Sequence, residues 1–251
     1  MPGGDTTAHV AGGMRGGLRS WKRGAAGRGI RNAISYAFDG TCDAHRAPAG
    51  SISAMNYSGG QSVARFTVVN GLIARDALNL DQLRQWIEGA DPHSGAQRGR
   101  PHCLDNADLL LDGTINFPKS YSIAALLNPE LAAEFEALQD RMRDLTITLW
   151  QRDLNARRGH GGSIREDIAR LEVVELQHRR SRALDPHIHR HLWLNMKVQG
   201  IDGKWSSLDS RVAMKLHTVV NAEGELAART DPPRVSSRPR SPTSIATSSH
   251  R

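Results

Sequence analysis

Four of the eleven histidines in this 251-residue chain fall within fourteen residues: His178, His187, His189 and His191. Alternate side chains of a β-strand share one face and lie about 6.6–7 Å apart, so His189 and His191 can hold one metal ion between them. His187 is on the same face, but one ion cannot bond all three, because zinc–nitrogen bonds are only about 2.0–2.1 Å long. We therefore predict that the third ligand is His178, which lies one hairpin away across the turn at 184–186.

Three neutral imidazoles leave coordination positions open on the ion, which is typical of a catalytic rather than a structural metal site. We call His178, His189 and His191 the histidine triad. His187 is interpreted as either a spare ligand or a surface residue. The alternative is that the segment is a half-exposed polar strand that binds no ion.

Asp112 is the second residue that could do chemistry, because it lies in the apolar run 107–117, where an unpaired carboxylate would be costly. A natural partner is the free ring nitrogen of a ligand histidine, which the carboxylate would orient and make more basic. It could also accept a proton from a nucleophile. The alternative is a solvated aspartate on an open sheet face.

The elements that must position these residues are strands and helices in mixed order. Apolar runs and alternation predict strands over 65–73, 107–117, 171–182 and 187–198. Helices are predicted over 30–38, 80–88, 119–127 and from Asn128 to about Arg158. Asn128 is an expected N-cap, followed by Pro129 at the first helical position. The pattern predicts an α+β fold, an antiparallel sheet that carries the histidine triad, with helices packed on its faces.

The positive charge is concentrated at the two ends of the chain. Residues 1–29 and 229–251 each carry five Lys or Arg against one Asp, a net +4, so that 30–228 carries about −1 of the total +7. The first end is rich in Gly and Arg and the second in Pro, Ser and Arg, compositions that favour disorder. We expect a disordered leader, one domain over 30–228 and a disordered tail. The ends are either nucleic-acid-binding arms or segments without a function.

Composition excludes two classes of protein. No stretch approaches the roughly 20 apolar residues of a membrane span, so no membrane insertion is expected. The N-terminus has no apolar signal region, so a secretory signal is not expected either. Cys42 and Cys103 are the only cysteines, too few for a disulfide scaffold. The chain is therefore expected to be cytoplasmic.

Three blocks of the sequence resemble the motifs of TrwC-type (MobF) conjugative relaxases, which belong to the HUH endonucleases. The blocks are LLLDGTINFPKSYSI at 109–123, QHRRSRALDPHIHRHLWLN at 177–195 and DGKWSSLDSR at 202–211. Their order and spacing follow those of the family, and the resemblance extends over roughly 30–230.

The resemblance implies a metal-dependent single-strand DNA endonuclease and strand transferase, which nicks plasmid DNA at the transfer origin through a tyrosine–5′-phosphate intermediate. It implies Mg²⁺ or Mn²⁺ as cofactor, although three histidines also suit Zn²⁺. The implied partners are single-stranded plasmid DNA at the transfer origin and relaxosome accessory proteins.

The family's functional residues can be carried over position by position. His178, His189 and His191 match the metal triad of the family. Asp112 matches the acidic residue that supports the tyrosine and the triad. Tyr36 stands where the family has its first tyrosine, and Tyr57 would match the second, used for a second strand transfer. Tyr121 lies in a block where the family has no nucleophile.

The sequence also departs from the family pattern. Ile115, Asn116 and Phe117 replace the usual residues after Asp112, and His187 and Arg190 replace commoner residues beside the triad.

Two alternatives to an active relaxase follow from other features of the sequence. The resemblance stops near Ala228, before the family's DNA clamp and helicase, and no GxxxxGK[ST] motif occurs. The second hypothesis is therefore a truncated, inactive remnant with at most DNA-binding activity. A third is an unrelated metallohydrolase with a histidine triad, in which Tyr36 would have no role.

Overall fold

The computed structural model describes residues 16–38, 62–181 and 185–230. Within these ranges the chain forms nine strands and five α-helices. The strands are β1 (Leu18–Lys22), β2 (Ser62–Val69), β3 (Leu72–Asn79), β4 (Asp108–Ile115), β5 (Asn155–Arg158), β6 (Ile164–Arg180), β7 (Pro186–Asn195), β8 (Lys197–Gly200) and β9 (Trp205–Ser207). The helices are α1 (Arg28–Phe38), α2 (Leu80–Glu88), α3 (Lys119–Leu127), α4 (Pro129–Asp153) and α5 (Ser210–Thr230). In the part of the chain so described, no helix is both long and apolar enough to cross a membrane.

The strands form one antiparallel sheet in the order β1-β4-β7-β6-β2-β3. The long strand β6 also pairs with β5 and β8 near its beginning, and β9 pairs with β8. Helices and strands alternate irregularly along the chain, and the sheet has helices on both faces. The predicted α+β class, with an antiparallel sheet covered by helices, is confirmed.

Each face of the sheet has its own hydrophobic cluster, because successive residues of a strand point to opposite sides. On one face, Val173 of β6 packs in a cluster with Phe135 and Leu138 of α4. On the other, Val174 lies in a cluster with α1 and α2 that includes Trp193 of β7. Alternation along β6 and β7 places the histidine triad on this second face, beyond the end of its apolar cluster.

Several predicted elements have different bounds in the structure, among them the strand predicted over 187–198, which is divided into β7 and β8. The strand predicted over 65–73 is interrupted at Asn70-Gly71, whose φ angles of 49° and 82° allow the tight turn of a β-hairpin. The last predicted helix ends at Asp153 rather than near Arg158, because Asn155–Arg158 pairs with the start of β6. The turn is set by its own two residues, whereas the end of the helix is decided by pairing with a neighbouring strand.

The prediction that residues 1–29 are disordered is wrong for residues 18–29. Leu18–Lys22 forms a strand on β4, and α1 begins at Arg28 rather than at residue 30. Although the segment is poor in apolar residues, Leu18 and Trp21 each pack against one of the two clusters. Residues 1–15 and 231–251 lie outside the described ranges.

Glu172 of β6 fixes α2 and the loop that follows it to the sheet. This fully buried carboxylate accepts hydrogen bonds from Trp86 Nε1 at 2.8 Å and from the guanidinium of Arg98 at 2.7 Å. The guanidinium groups of Arg65 and Arg170 also donate hydrogen bonds to its oxygens, at 3.3 and 2.6 Å. Burial by itself would raise the pKa of Glu172, but the hydrogen bond from Arg98 and the charges of the three arginines outweigh it and lower that pKa.

Candidate metal centre

The pairing of β6 with β7 brings the histidine triad together. His178 is directly opposite His189 in the ladder, and His191 follows two residues later on the same face. One ligand nitrogen from each ring lies within 4.8 Å of those of the other two. Two nitrogens bonded to one zinc ion are at most about 4.2 Å apart, so the cluster is close to the size that a shared ion requires.

Two of the three rings are oriented by acceptors on Nδ1. Nδ1 of His191 donates to Oδ1 of Asp112 at 2.8 Å, and Nδ1 of His189 donates to the backbone oxygen of His187 at 2.8 Å. The second oxygen of Asp112 accepts a hydrogen bond from Trp21 Nε1 at 3.3 Å. A neutral imidazole with its proton on Nδ1 has its lone pair on Nε2, and a carboxylate behind a ligand histidine is a common arrangement at metal sites.

Burial keeps two of these rings neutral. It lowers the pKa of His178 to about 2, with a further contribution from the neighbouring His191 and His189. It also lowers the pKa of His189 to about 4. A histidine must be neutral to bind a metal ion, so the donor set fits a divalent cation that accepts imidazole ligands.

The fourth histidine does not belong to the cluster. The ring of His187 stacks on His189 with 4.8 Å between centroids, and its Nδ1 atom is buried without a hydrogen-bond partner among the described residues. Burial, and then the charge of Lys119, lower the pKa of His187. It therefore packs beside a ligand rather than joining the three nitrogens.

Tyr36 reaches the cluster from α1. Its hydroxyl oxygen lies 3.1 Å from Nε2 of His191. The phenol ring packs edge-on against Trp21 at 5.5 Å and stacks on Trp193 at 6.0 Å between centroids. These two tryptophans come from β1 and β7, so three separate elements fix the position of the tyrosine.

An open cavity of about 240 Å³ exposes these groups to solvent. We call it the triad pocket. Its lining residues are Tyr36, Thr114, Asn116, His178, Arg180, Ser181, His187, His189 and His191. None of these residues is acidic. The pocket therefore has no carboxylate to repel an anion, and it contains possible metal ligands, a phenol and a cationic side chain. This combination suits an anionic substrate.

Neither of the other two tyrosines is placed in the pocket by the described structure. Tyr57 lies outside the described residues. Tyr121 packs against Phe117 and Phe135 at 5.6 Å in the opposite cluster, away from the pocket. Trp21 and Trp193, which hold Tyr36 in place, were not predicted from the sequence. The signal for Trp21 was a large aromatic residue in a segment that was otherwise Gly- and Arg-rich.

The chain is similar to proteins of known structure. A family model described as TrwC relaxase matches residues 53–230. The metal-bound complex of the conjugative relaxase TrwC with OriT DNA is 20% identical, with a TM-score of 0.62 over 86% of this chain and 69% of that chain. A copper-bound structure of TrwC with OriT DNA is 21% identical, with a TM-score of 0.63 over 86% and 69%.

A third structure, TrwC with a 27-mer DNA comprising the recognition hairpin and the cleavage site, is 18% identical, with a TM-score of 0.59 over 86% and 68%. A comparison with curated proteins finds no match. At these identities the solved structures show that the fold is shared.

Proposed function

Because the chain belongs to the TrwC relaxase family, we propose that it is a metal-dependent single-strand DNA endonuclease and strand transferase of conjugation. Its substrate would be plasmid DNA at the transfer origin, and its intermediate a tyrosine–5′-phosphate. The titles of similar structures name OriT DNA as the ligand and describe metal-bound forms, which supports both the substrate and the cofactor. Accessory proteins and a cytoplasmic location stay predictions.

One observation carries this proposal: a tyrosine hydroxyl lies 3.1 Å from a triad histidine in a pocket open to solvent. An ordinary metallohydrolase would activate a water molecule and would need no tyrosine there. The contact thus favours covalent chemistry by Tyr36 over the unrelated metallohydrolase.

We assign the remaining roles from the contacts in the pocket. His178, His189 and His191 would hold the divalent ion, with Asp112 orienting His191. Mg²⁺ and Mn²⁺ prefer oxygen ligands, whereas imidazole suits Zn²⁺, Cu²⁺ and Ni²⁺, so Zn²⁺ fits these three donors better than Mg²⁺, and Mg²⁺ or Mn²⁺ would need oxygen ligands from the substrate or water as well. When bound, the ion would polarise the scissile phosphate and stabilise the negative charge that develops on it.

The protein's own part of the reaction is to supply and position the nucleophile. The oxygen of Tyr36 would form a bond to phosphorus while the bond to the 3′ oxygen breaks. The phenol would lose its proton, and the departing 3′ oxygen would gain one. A phenol with a pKa near 10 is a weak nucleophile at neutral pH, so holding its oxygen in place lowers the barrier through proximity.

The test is to incubate the chain with Mn²⁺ and single-stranded oligonucleotides tiled across the transfer origin of the plasmid that carries the gene. A covalent protein–DNA adduct on a denaturing gel, lost with EDTA, is the expected result. Peptide mapping of the adduct should identify Tyr36. If the protein is folded and metal-loaded yet forms no adduct with any oligonucleotide, the result would favour the hypothesis that the chain is an inactive remnant.

A further inference from the structure

Arg180 is the last residue of β6 and lines the triad pocket. It follows His178 by two residues, so strand alternation directs both side chains to the same face. The register of the ladder between β6 and β7 shifts between His178 and Arg180. His178 pairs with His189, whereas Arg180 pairs with Pro186. The extra residue of this bulge lies in β7, so the alternation along β6 that places both side chains on one face is kept.

The charge of Arg180 has no acidic partner among the described residues, unlike the charges of the other arginines on this strand. Those form ion pairs, Arg165 with Asp209 at 2.5 Å, Arg170 with Glu172 at 2.6 Å and Arg179 with Glu136 at 3.4 Å. An arginine without a carboxylate, in a pocket whose lining is not acidic, is available for an anion supplied by a ligand.

We propose that Arg180 binds a backbone phosphate of the single-stranded DNA that enters the triad pocket. The inference rests on the proposed function, which supplies the ligand. A guanidinium presents paired N–H donors that match phosphate oxygens. In the H-x-x-S-R motif Arg180 takes the second unspecified position, while Arg182, which matches the motif's arginine, lies outside the described residues. The proposed contact is therefore not one of the residues that the motif specifies.

The neighbouring Arg179 provides a matched control. It is exposed, and its guanidinium points to the other face, towards Glu136 of α4. Substitution of either arginine by glutamine removes the same charge one residue apart. Any effect of net charge alone should therefore be equal in Arg180→Gln and Arg179→Gln.

The experiment measures binding of fluorescein-labelled oligothymidylate of ~20 nucleotides, and of the tiled oligonucleotides, by fluorescence anisotropy over a series of NaCl concentrations in EDTA. Loss of one phosphate contact should reduce the slope of log affinity against log salt by about 0.7. We expect this reduction, and roughly tenfold weaker binding at low salt, for Arg180→Gln. Arg179→Gln should match the wild type, and Arg180→Lys should retain the wild-type slope.

Equal slopes and affinities for Arg180→Gln, Arg179→Gln and the wild type would overturn the inference. Arg180→Met, which keeps the apolar stem, gives a second neutral variant, and thermal melting verifies that each variant is folded.

Because EDTA prevents cleavage, the binding assay tests the phosphate contact independently of the endonuclease activity. DNA that binds normally but is never cut contradicts the endonuclease, whereas cutting with unchanged binding by Arg180→Gln contradicts only the phosphate contact. A wild type that binds none of the oligonucleotides contradicts both.

Discussion

The hydroxyl oxygen of Tyr36 lies 3.1 Å from Nε2 of His191. This nitrogen carries the lone pair that the imidazole would offer to a metal ion. Nδ1 of His191 donates to Asp112, so a neutral ring has only Nε2 left as an acceptor. With the ring in this form, the phenol donates a hydrogen bond to this nitrogen. One lone pair cannot serve both the phenol and an ion, so metal binding and this hydrogen bond exclude each other.

We expect Tyr36→Phe to bind Mn²⁺ or Zn²⁺ more tightly than the wild type. The gain should be up to about tenfold, since the hydrogen bond that the ion must displace is worth about 0.5–1.5 kcal/mol. Isothermal titration calorimetry measures the change. Tyr121→Phe, in the opposite cluster, is the matched control and should leave metal affinity unchanged. An unchanged or weaker affinity in Tyr36→Phe would show that the phenol and the ion do not compete.

The same Tyr36→Phe variant should form no covalent adduct with DNA, because phenylalanine has no oxygen to attack phosphorus. Its affinity for single-stranded DNA in EDTA should stay near that of the wild type. Both properties are measured with the oligonucleotides of the cleavage assay. Adduct that persists in this variant would move the nucleophile to another tyrosine, with Tyr57 as the first candidate.

Asp112→Asn should weaken metal binding by about 10–100-fold, the usual effect of removing the carboxylate behind a ligand histidine. The reason is that an amide no longer accepts charge-assisted hydrogen bonds from both His191 and Trp21. The measurement is a calorimetric titration with Mn²⁺ or Zn²⁺. Asp108→Asn is the control on the same strand, since Asp108 pairs only with the exposed Lys22 in the described structure. Similar metal affinities for the two variants would remove Asp112 from the site.

His189→Ala and His187→Ala should differ sharply, although the two rings stack on each other. Removal of His189 deletes one of three ligands, so metal binding and adduct formation should be lost. Removal of His187 takes away a ring that lies outside the cluster of ligand nitrogens, and metal affinity should change by less than about tenfold. The measurement is the metal content of each variant after dialysis, with circular dichroism as a check on folding. Comparable loss in both variants would make His187 a ligand.

The sequence was sufficient to predict the triad's place because strand periodicity is local. Alternation put His189 and His191 on one face, and the short connection between β6 and β7 limited His178 to a position opposite them. That Asp112 pairs with one of the triad histidines was expected from the cost of burying an unpaired carboxylate, although the sequence did not indicate which of the three. The prediction of the triad needed only neighbouring residues and one hairpin, whereas Asp112 lies 79 positions from His191.

What the sequence could not predict depends on contacts between distant segments. Trp21 meets Asp112 from 91 positions away, and nothing within Leu18–Lys22 by itself favours a strand over a Gly- and Arg-rich coil. Likewise Asn155–Arg158 leaves the predicted helix only because the start of β6 offers it backbone partners. Asn70-Gly71 is different, since an Asn-Gly pair between apolar residues is a local hairpin signal, and the turn could have been predicted from it.

Glu172→Ala should destabilise the fold by up to about 3–5 kcal/mol at pH 7, because it removes the buried carboxylate that two buried arginines share and leaves each of them only a more exposed one. Arg65 and Arg98 are both buried and both bond to Glu172. Urea unfolding followed by circular dichroism measures the loss. Glu136→Ala is the control, since the half-exposed Glu136 pairs with Arg179 at the surface and should contribute less than about 1 kcal/mol.

The effect of Glu172 should also depend on pH. The pKa of Glu172 is lowered in the folded protein from its usual value of 4.5, so the unfolded chain takes up a proton before the folded one does. Its contribution to stability is therefore complete above about pH 5 and declines as the pH falls below 4.5. The difference in free energy of unfolding between the wild type and Glu172→Ala should narrow over that range, when urea titrations are repeated from pH 7 to 4. A constant difference would mean that the carboxylate contributes through packing rather than through its charge.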